Sequence, residues 1–336
     1  MKQFALVCFL LFFTTSIAQS INSYIEEGIE FHDSKDYDSA INSYKKALEI
    51  EPKSSLANYE ISLSYFFKGD YKNAIKHSEI VIDNGNEHLI PAYLTMGSSL
   101  DNMGRTKESI KLFKKGIRKL GDDYLLHYNL ALNYFKLKDH ENTKKHAIEA
   151  IKNESGHSSS HLLLAYSNLA EDKKIESFLS LNYFLLLEPN SERSVQAYQF
   201  LQKTIYGNVS KDQNKENSIN ISLSSVGLES DFPGADLMLS LTIAKNHTEE
   251  NEGKSAEELF VVNTDSFFTY LGEIKENKDK GGIYYDFYIP FFYSLSKSDH
   301  IEAYCYHISE RGNPVAAEWI TNNTVKLFEF EKWLSE

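Results

Sequence analysis

Residues 21–54 read INSYIEEGIEFHDSKDYDSAINSYKKALEIEPKS. Within this stretch the small residues Gly28 and Ala40 stand twelve apart, the aromatics Phe31 and Tyr44 follow each of them, and Pro52 closes the unit. The pattern begins again at Ser55, Ile90, Tyr124 and Ser158, at spacings of 34, 35, 34 and 34. A repeat of that length predicts an array of helical hairpins. Its eighth column holds Gly28, Ser62, Gly97, Ala131 and Ala165, and its twentieth holds Ala40, Ala74, Ser109, Thr143 and Ser177. Two antiparallel helices approach closely only where side chains are short, so these columns mark the contact line within each hairpin. The eleventh column (Phe31, Tyr65, Leu100, Tyr134, Asn168) and the twenty-fourth (Tyr44, Ser78, Phe113, Ala147, Leu181) are expected to fill the space between neighbouring hairpins. Pro52 and Pro189 share the thirty-second position, where a residue without an N–H ends the second helix.

This combination resembles the tetratricopeptide repeat family, whose small residues at positions 8, 20 and 27 and aromatics at 11 and 24 are matched most fully by residues 21–52. The tryptophan often found at position 4 is replaced by Tyr24, Asn58, Tyr93, His127 and His161, and Phe184 occupies a small position in the fifth unit. The resemblance implies an all-α fold: a right-handed superhelix, or α-α solenoid, of five units at 21–54, 55–89, 90–123, 124–157 and 158–191. A Sel1-type array of slightly longer period is the alternative. Ser191 to Tyr206, with Val195, Tyr198, Leu201 and Ile205 on one face, reads as a capping helix, so the array spans 19–206.

In tetratricopeptide arrays the first helix of each unit lines the concave face, and here its inward positions are apolar. They hold Ile25 and Ile29; then Tyr59, Leu63, Phe66 and Phe67; then Leu94; then Tyr128, Leu132 and Phe135; and finally Leu162 and Tyr166. A patch of this extent calls for an occupant. The candidates are a protein partner's helix or extended segment, or a helix from the C-terminal half of this chain; the alternative is a structural role, since residues at positions 5 and 9 can also pack within the array. The family's carboxylate clamp for chaperone tails is not carried over, because Ile25 and Ile29 stand where its first polar residues belong.

Lys2, the apolar run from Phe4 to Phe13 and Ser16-Ile17-Ala18 before Gln19 form the three-part pattern of a secretory signal peptide covering residues 1–18. Export to the periplasm or the cell exterior follows as the expected localisation. The apolar core is short for a span of ~20 residues, so no stable membrane insertion is expected after cleavage. Cys305 is then the one remaining cysteine, and no internal disulfide forms.

The whole chain carries a net charge of −13. Residues 207–336 hold 22 acidic and 11 basic side chains, against 26 and 23 in 19–206. Such a balance argues against nucleic acid or anionic membrane as partners. The local exception is Arg105, Lys107, Lys111, Lys114, Lys115, Arg118 and Lys119 on the second helix of the third unit. Its ordinary reading is a solvated helix face, and its sharper one a dock for an acidic partner or for the acidic C-terminal region.

Gly207–Ser218 is polar and aperiodic and reads as a linker. The remainder, 219–336, is acidic and aromatic-rich. Ile219, Ile221 and Leu223 permit a strand, and the rest predicts a helical domain. Ser255 with Glu258, Asp299 with Glu302, and Asn313 before Pro314 mark helix starts, Asn323 precedes the last helix, and Ile283–Tyr293 predicts a buried helix kinked at Pro290.

No cofactor, metal site or catalytic group is legible. His157 and His161 have helical spacing for a metal, but they straddle a unit junction and read as a structural pair. Phosphate-loop, zinc-protease, nucleophile-elbow and Cys-x-x-Cys motifs do not occur. The sequence therefore predicts a non-enzymatic interaction scaffold of the bacterial envelope. The rivals are an enzyme whose site gathers Asp286, His300 or His307 in 219–336, and a self-associating envelope protein.

Overall fold

The computed structural model describes residues 21–85, 87–211, 218–222, 232, 234–276 and 281–336. The expected signal peptide, most of the expected linker and Leu223 lie outside the described residues. The chain divides into two compact units, one running to Lys138 and one from Asp139 onward.

The first unit holds α1 (21–33), α2 (Tyr37–Ile50), α3 (Ser55–Lys68), α4 (Tyr71–Asn84), α5 (Leu89–Asn102), α6 (Thr106–Leu120) and α7 (Tyr124–Lys136). Side-chain caps start several of these helices: Asp36 accepts from Ser39 N, Ser54 from Ala57 N and Asp70 from Asn73 N. Each satisfies a backbone donor that the first helical turn leaves open. The small columns are buried as expected, and they fix the hairpin spacing directly. A Cβ on Gly28 would stand 2.4 Å from the Tyr44 ring, and one on Gly97 2.2 Å from the Phe113 ring. Rings at position 24 therefore lie over position 8 of their own hairpin, which corrects the expectation that they fill only the gaps between hairpins.

Every hairpin turn, in both units, passes through a left-handed residue at the fifteenth position: Lys35 (φ 64), Gly69 (φ 85), Gly104 (φ 77), Lys138 (φ 59) and Asp172 (φ 55). In the first turn Asp36 N donates to Phe31 O at 2.9 Å while Lys35 N donates to His32 O at 2.8 Å. This Schellman arrangement satisfies the last carbonyls of the helix. It recurs at Tyr65–Asp70 and Leu100–Arg105.

The second unit opens with α8 (His140–Asn153), α9 (Ser158–Ala170), α10 (Lys174–Leu187) and α11 (Glu192–Tyr206). Strand β1 (Val209–Lys211) then pairs antiparallel with β2 (Ile219–Ile221), Val209 opposite Ile221. Part of the stretch read as linker is thus hydrogen-bonded structure. After it come α12 (Ala235–Ala244), two 3₁₀ turns (Lys245–His247 and Glu249–Asn251), α13 (Ala256–Glu276), a π-helical segment (Tyr284–Tyr288), α14 (Ile289–Ser296), α15 (Ile301–Ser309), α16 (Pro314–Asn322) and α17 (Thr324–Ser335). The Ser255–Glu258 capping box is present in both directions, at 2.7 and 3.1 Å, and Asn313 caps α16. Asp299 does not cap α15, which begins after His300 with no side-chain cap, and Asn323 precedes α17 without capping it. The kink expected at Pro290 takes a different form. The missing N–H leaves a carbonyl of the preceding turn without its donor, and the chain widens to π geometry before resuming as α14.

Helix α10 is buried from Ile175 to Leu186 except at Tyr183. It packs on α9 and α11, and also on the π segment, α12 and α15. Phe178 meets Phe267 edge-on at 5.2 Å, Phe268 stacks on Phe292 at 4.4 Å, and Tyr304 Oη donates to Asn182 Oδ1 at 2.8 Å. The helix fits because its sequence, KIESFLSLNYFLLL, is apolar all round.

Candidate interaction surface

In the first unit, the inward positions fall into two sets. Ile25, 4% exposed, belongs to the core with Ile41 and Ile61 and presents no free surface, contrary to expectation. Ile29, Tyr59, Leu63, Phe66, Leu94, Tyr128 and Phe135 are half-buried, Leu132 is 37% exposed and Phe67 is 55% exposed. Phe67 is thus the most open large apolar side chain of this set.

Its ring does not stand alone. It stacks on Tyr37 at 6.0 Å and meets His32 at 5.5 Å and Phe66 at 5.5 Å edge-on, while Phe66 lies 5.8 Å from Tyr71. His32 and Phe66–Phe67 end first helices, and Tyr37 and Tyr71 begin second helices, so the cluster gathers at the turn end of the first two hairpins. Burial holds the His32 imidazole below its usual range, which keeps the cluster uncharged at neutral pH. The Lys68–Asp38 ion pair borders it. Sequence reading missed His32, Tyr37 and Tyr71, although the aromatics at position 17 of the first two units were the available signal. At the other end of α3, Tyr59 lies parallel to His88 at 5.4 Å, and burial raises its phenol.

In the second unit, Leu162 is 6% exposed and belongs to the core. Tyr166 is covered in part by α11: its ring meets Phe200 at 5.7 Å and its hydroxyl faces Gln196 Oε1 at 3.5 Å.

The basic helix α6 turns Ile110, Phe113 and Gly116 inward. Arg105 forms a two-pronged pair with Glu108 at 2.8 Å, Lys114 sits 5.4 Å from the centre of the Tyr134 ring, and Lys119 Nζ reaches Ile82 O at 3.4 Å. Lys107, Lys111, Lys115 and Arg118 line the rest of the helix.

The residues weighed for chemistry do not converge. His161 is buried, with Nδ1 2.7 Å from Tyr288 Oη and Nε2 2.9 Å from Ser155 O, while His157 Nδ1 lies 2.8 Å from Ser160 Oγ. Both imidazoles are thus engaged in hydrogen bonds within the protein. His307 Nε2 is bonded to Leu186 O at 3.0 Å, and Asp286 accepts from Gly282 N at 2.7 Å in a depression that neither His300 nor His307 lines. Cys305 is fully buried, and desolvation raises its thiol far above the usual range. Among the described residues no three His, Cys, Asp or Glu side chains form a metal ligand set, and no helix is long and apolar enough to cross a membrane.

Comparison with known proteins places the array. The tetratricopeptide repeat family model matches residues 21–54 and 90–118, within the first and third hairpins. Over 123 residues, 36% of this chain, the sequence is 25% identical to the TPR repeat-containing protein MJ1428 of Methanocaldococcus jannaschii; the matched region spans only 21% of that relative's length. PilF of Pseudomonas aeruginosa shares the fold with a TM-score of 0.50 at 17% identity, over 56% of this chain and 85% of its own. A thermophilic TPR protein of Thermus thermophilus aligns over 54% of this chain and 98% of its own, with a TM-score of 0.46 and 16% identity.

Proposed function

We propose that this chain, whose hairpin array is a tetratricopeptide-repeat solenoid, is a non-enzymatic scaffold that holds a partner's peptide or helix on the inner face of its first hairpins. The observation that carries this reading is the cluster around Phe67, where five ring-bearing side chains meet and the outermost is 55% exposed. Burial of such rings contributes ~25 cal/mol per Å2 of apolar surface removed from water, so a modest contact area suffices for capture. Residues 1–18 make the bacterial cell envelope the proposed setting, with the scaffold in the periplasm or outside the cell. The lysines of α6 provide a second, salt-sensitive contact for an acidic partner.

The test compares the wild-type chain with a Phe67→Ser variant as baits for envelope and culture-fluid proteins, after circular dichroism has shown equal helical content. A protein retained only by the wild type, then purified and shown by titration to bind it at least tenfold more tightly than the variant, supports the scaffold. Equal capture by both baits overturns the inner-face reading. N-terminal sequencing of the protein from cells tests export, with a new terminus at Gln19 as the expected result.

A further inference from the structure

The second unit holds a half-open pocket of ≈ 210 Å3 between α11, α13 and α15 that neither the repeats nor the scaffold reading accounts for. That is room for several waters, the scale of one small organic compound and not of a peptide. Its walls are aromatic and held in place. Tyr198 and Phe260 meet edge-on at 6.2 Å, and Tyr306 stacks flat on Trp319 at 4.3 Å. Gly312 lets the Tyr198 ring settle, since a Cβ there would stand 2.5 Å from it.

The polar groups are few and specific. Among the described residues Glu257 is the one charged side chain of the lining, which holds no Lys, Arg or His. Asn313 Nδ2 donates to Glu257 Oε1 at 3.1 Å, and this hydrogen bond is the chief cause that holds the carboxyl below its usual range, so it is ionised at neutral pH. Gln202 Nε2 and Asn246 Oδ1 are shielded from solvent and have no hydrogen-bond partner among the described residues. An unpaired buried donor and acceptor each destabilise the protein, and a ligand with a hydroxyl satisfies either.

We propose that this cavity binds a small organic ammonium compound, its cation beside Glu257 and among the rings of Tyr198, Phe260 and Tyr306, its polar end at Gln202 and Asn246. A carboxylate with no cationic partner in the lining supplies the charge, and ring faces add cation–π attraction that a neutral ligand does not obtain. An anionic ligand meets the Glu257 carboxylate with no cation in the lining to offset it.

Calorimetric titration of the full chain with choline and with its neutral isostere 3,3-dimethylbutan-1-ol tests this without any mutation. Choline is expected to bind at least tenfold more tightly. Equal binding of the two overturns the proposal, as does binding of glucose or acetate in preference to choline, or no choline binding at millimolar concentration. Glu257→Gln keeps the side-chain volume and is expected to lower choline affinity at least tenfold while leaving the isostere unchanged. Phe260→Leu provides a second variant in case the first fails to fold, with loss of the choline preference as its expected result.

Discussion

The imidazole of His161, on the first helix of the fifth hairpin, stands 2.7 Å from the hydroxyl of Tyr288, 127 residues later in the π segment. Both side chains are buried, and the bond ties the hairpin to the C-terminal helices of the same unit. Removing the hydroxyl leaves a ring nitrogen without this partner inside the protein. Tyr288→Phe is therefore expected to cost about 1–3 kcal/mol. Both tryptophans, Trp319 and Trp333, lie in this unit, so urea unfolding followed by tryptophan fluorescence reads the loss. An unchanged midpoint refutes the assignment.

The same histidine makes the second unit acid-sensitive. Burial lowers its pKa from 6.5 to about 4. The unfolded chain then takes up a proton as pH falls through 6.5 while the folded chain does not, so stability declines below that pH. The loss becomes complete below the folded value, at about 3 kcal/mol. His161→Asn, compared with wild type at pH 7.5 and pH 5, is expected to flatten this decline by about 2 kcal/mol. Parallel declines in the two proteins count against it.

Lys35 adopts φ 64 in the first hairpin turn, where the second and third hairpins place glycine. Left-handed backbone costs a side-chain-bearing residue roughly 1–2 kcal/mol, partly offset by the greater freedom of glycine in the unfolded chain. Lys35→Gly is expected to stabilise the first unit by about 0.5–1 kcal/mol, visible as a raised midpoint in circular dichroism. A lowered midpoint contradicts the strain argument.

A methyl group added to Gly97 would meet the Phe113 ring at 2.2 Å. Gly97→Ala is expected to destabilise the first unit by about 1–3 kcal/mol through overpacking. Combining it with Phe113→Leu should cost less than the two changes added together, because they share one contact. Strict additivity in a double-mutant cycle argues that the two side chains do not meet.

The hairpin array was legible because its determinants are periodic: Gly28, Ala40 and their counterparts are small for a reason that recurs in every unit. The left-handed turn was not, since the fifteenth column mixes Lys, Gly and Asp and hides its shared geometry. Phe184 read as a defect of the fifth unit. It is instead part of an all-round apolar helix whose second face is covered by residues about a hundred positions later, a relation that local pattern does not carry. Val209–Lys211 is held as a strand by its pairing with Ile219–Ile221, so its polar composition concealed it. On the candidate surface, sequence found Phe66 and Phe67 but counted Ile25 and Leu162 as free, because position within a helix does not tell how closely the neighbouring hairpin packs. The cavity beside Glu257 left no sequence signal at all, its lining coming from four separated segments.

Helix α10 also limits how such a chain can evolve. A hairpin with one bare face is an interchangeable module, but one sealed by helices from 235 onward is not. Gain or loss of a hairpin before α9 leaves that seal intact, whereas replacing the fifth hairpin uncovers the apolar faces of the C-terminal helices.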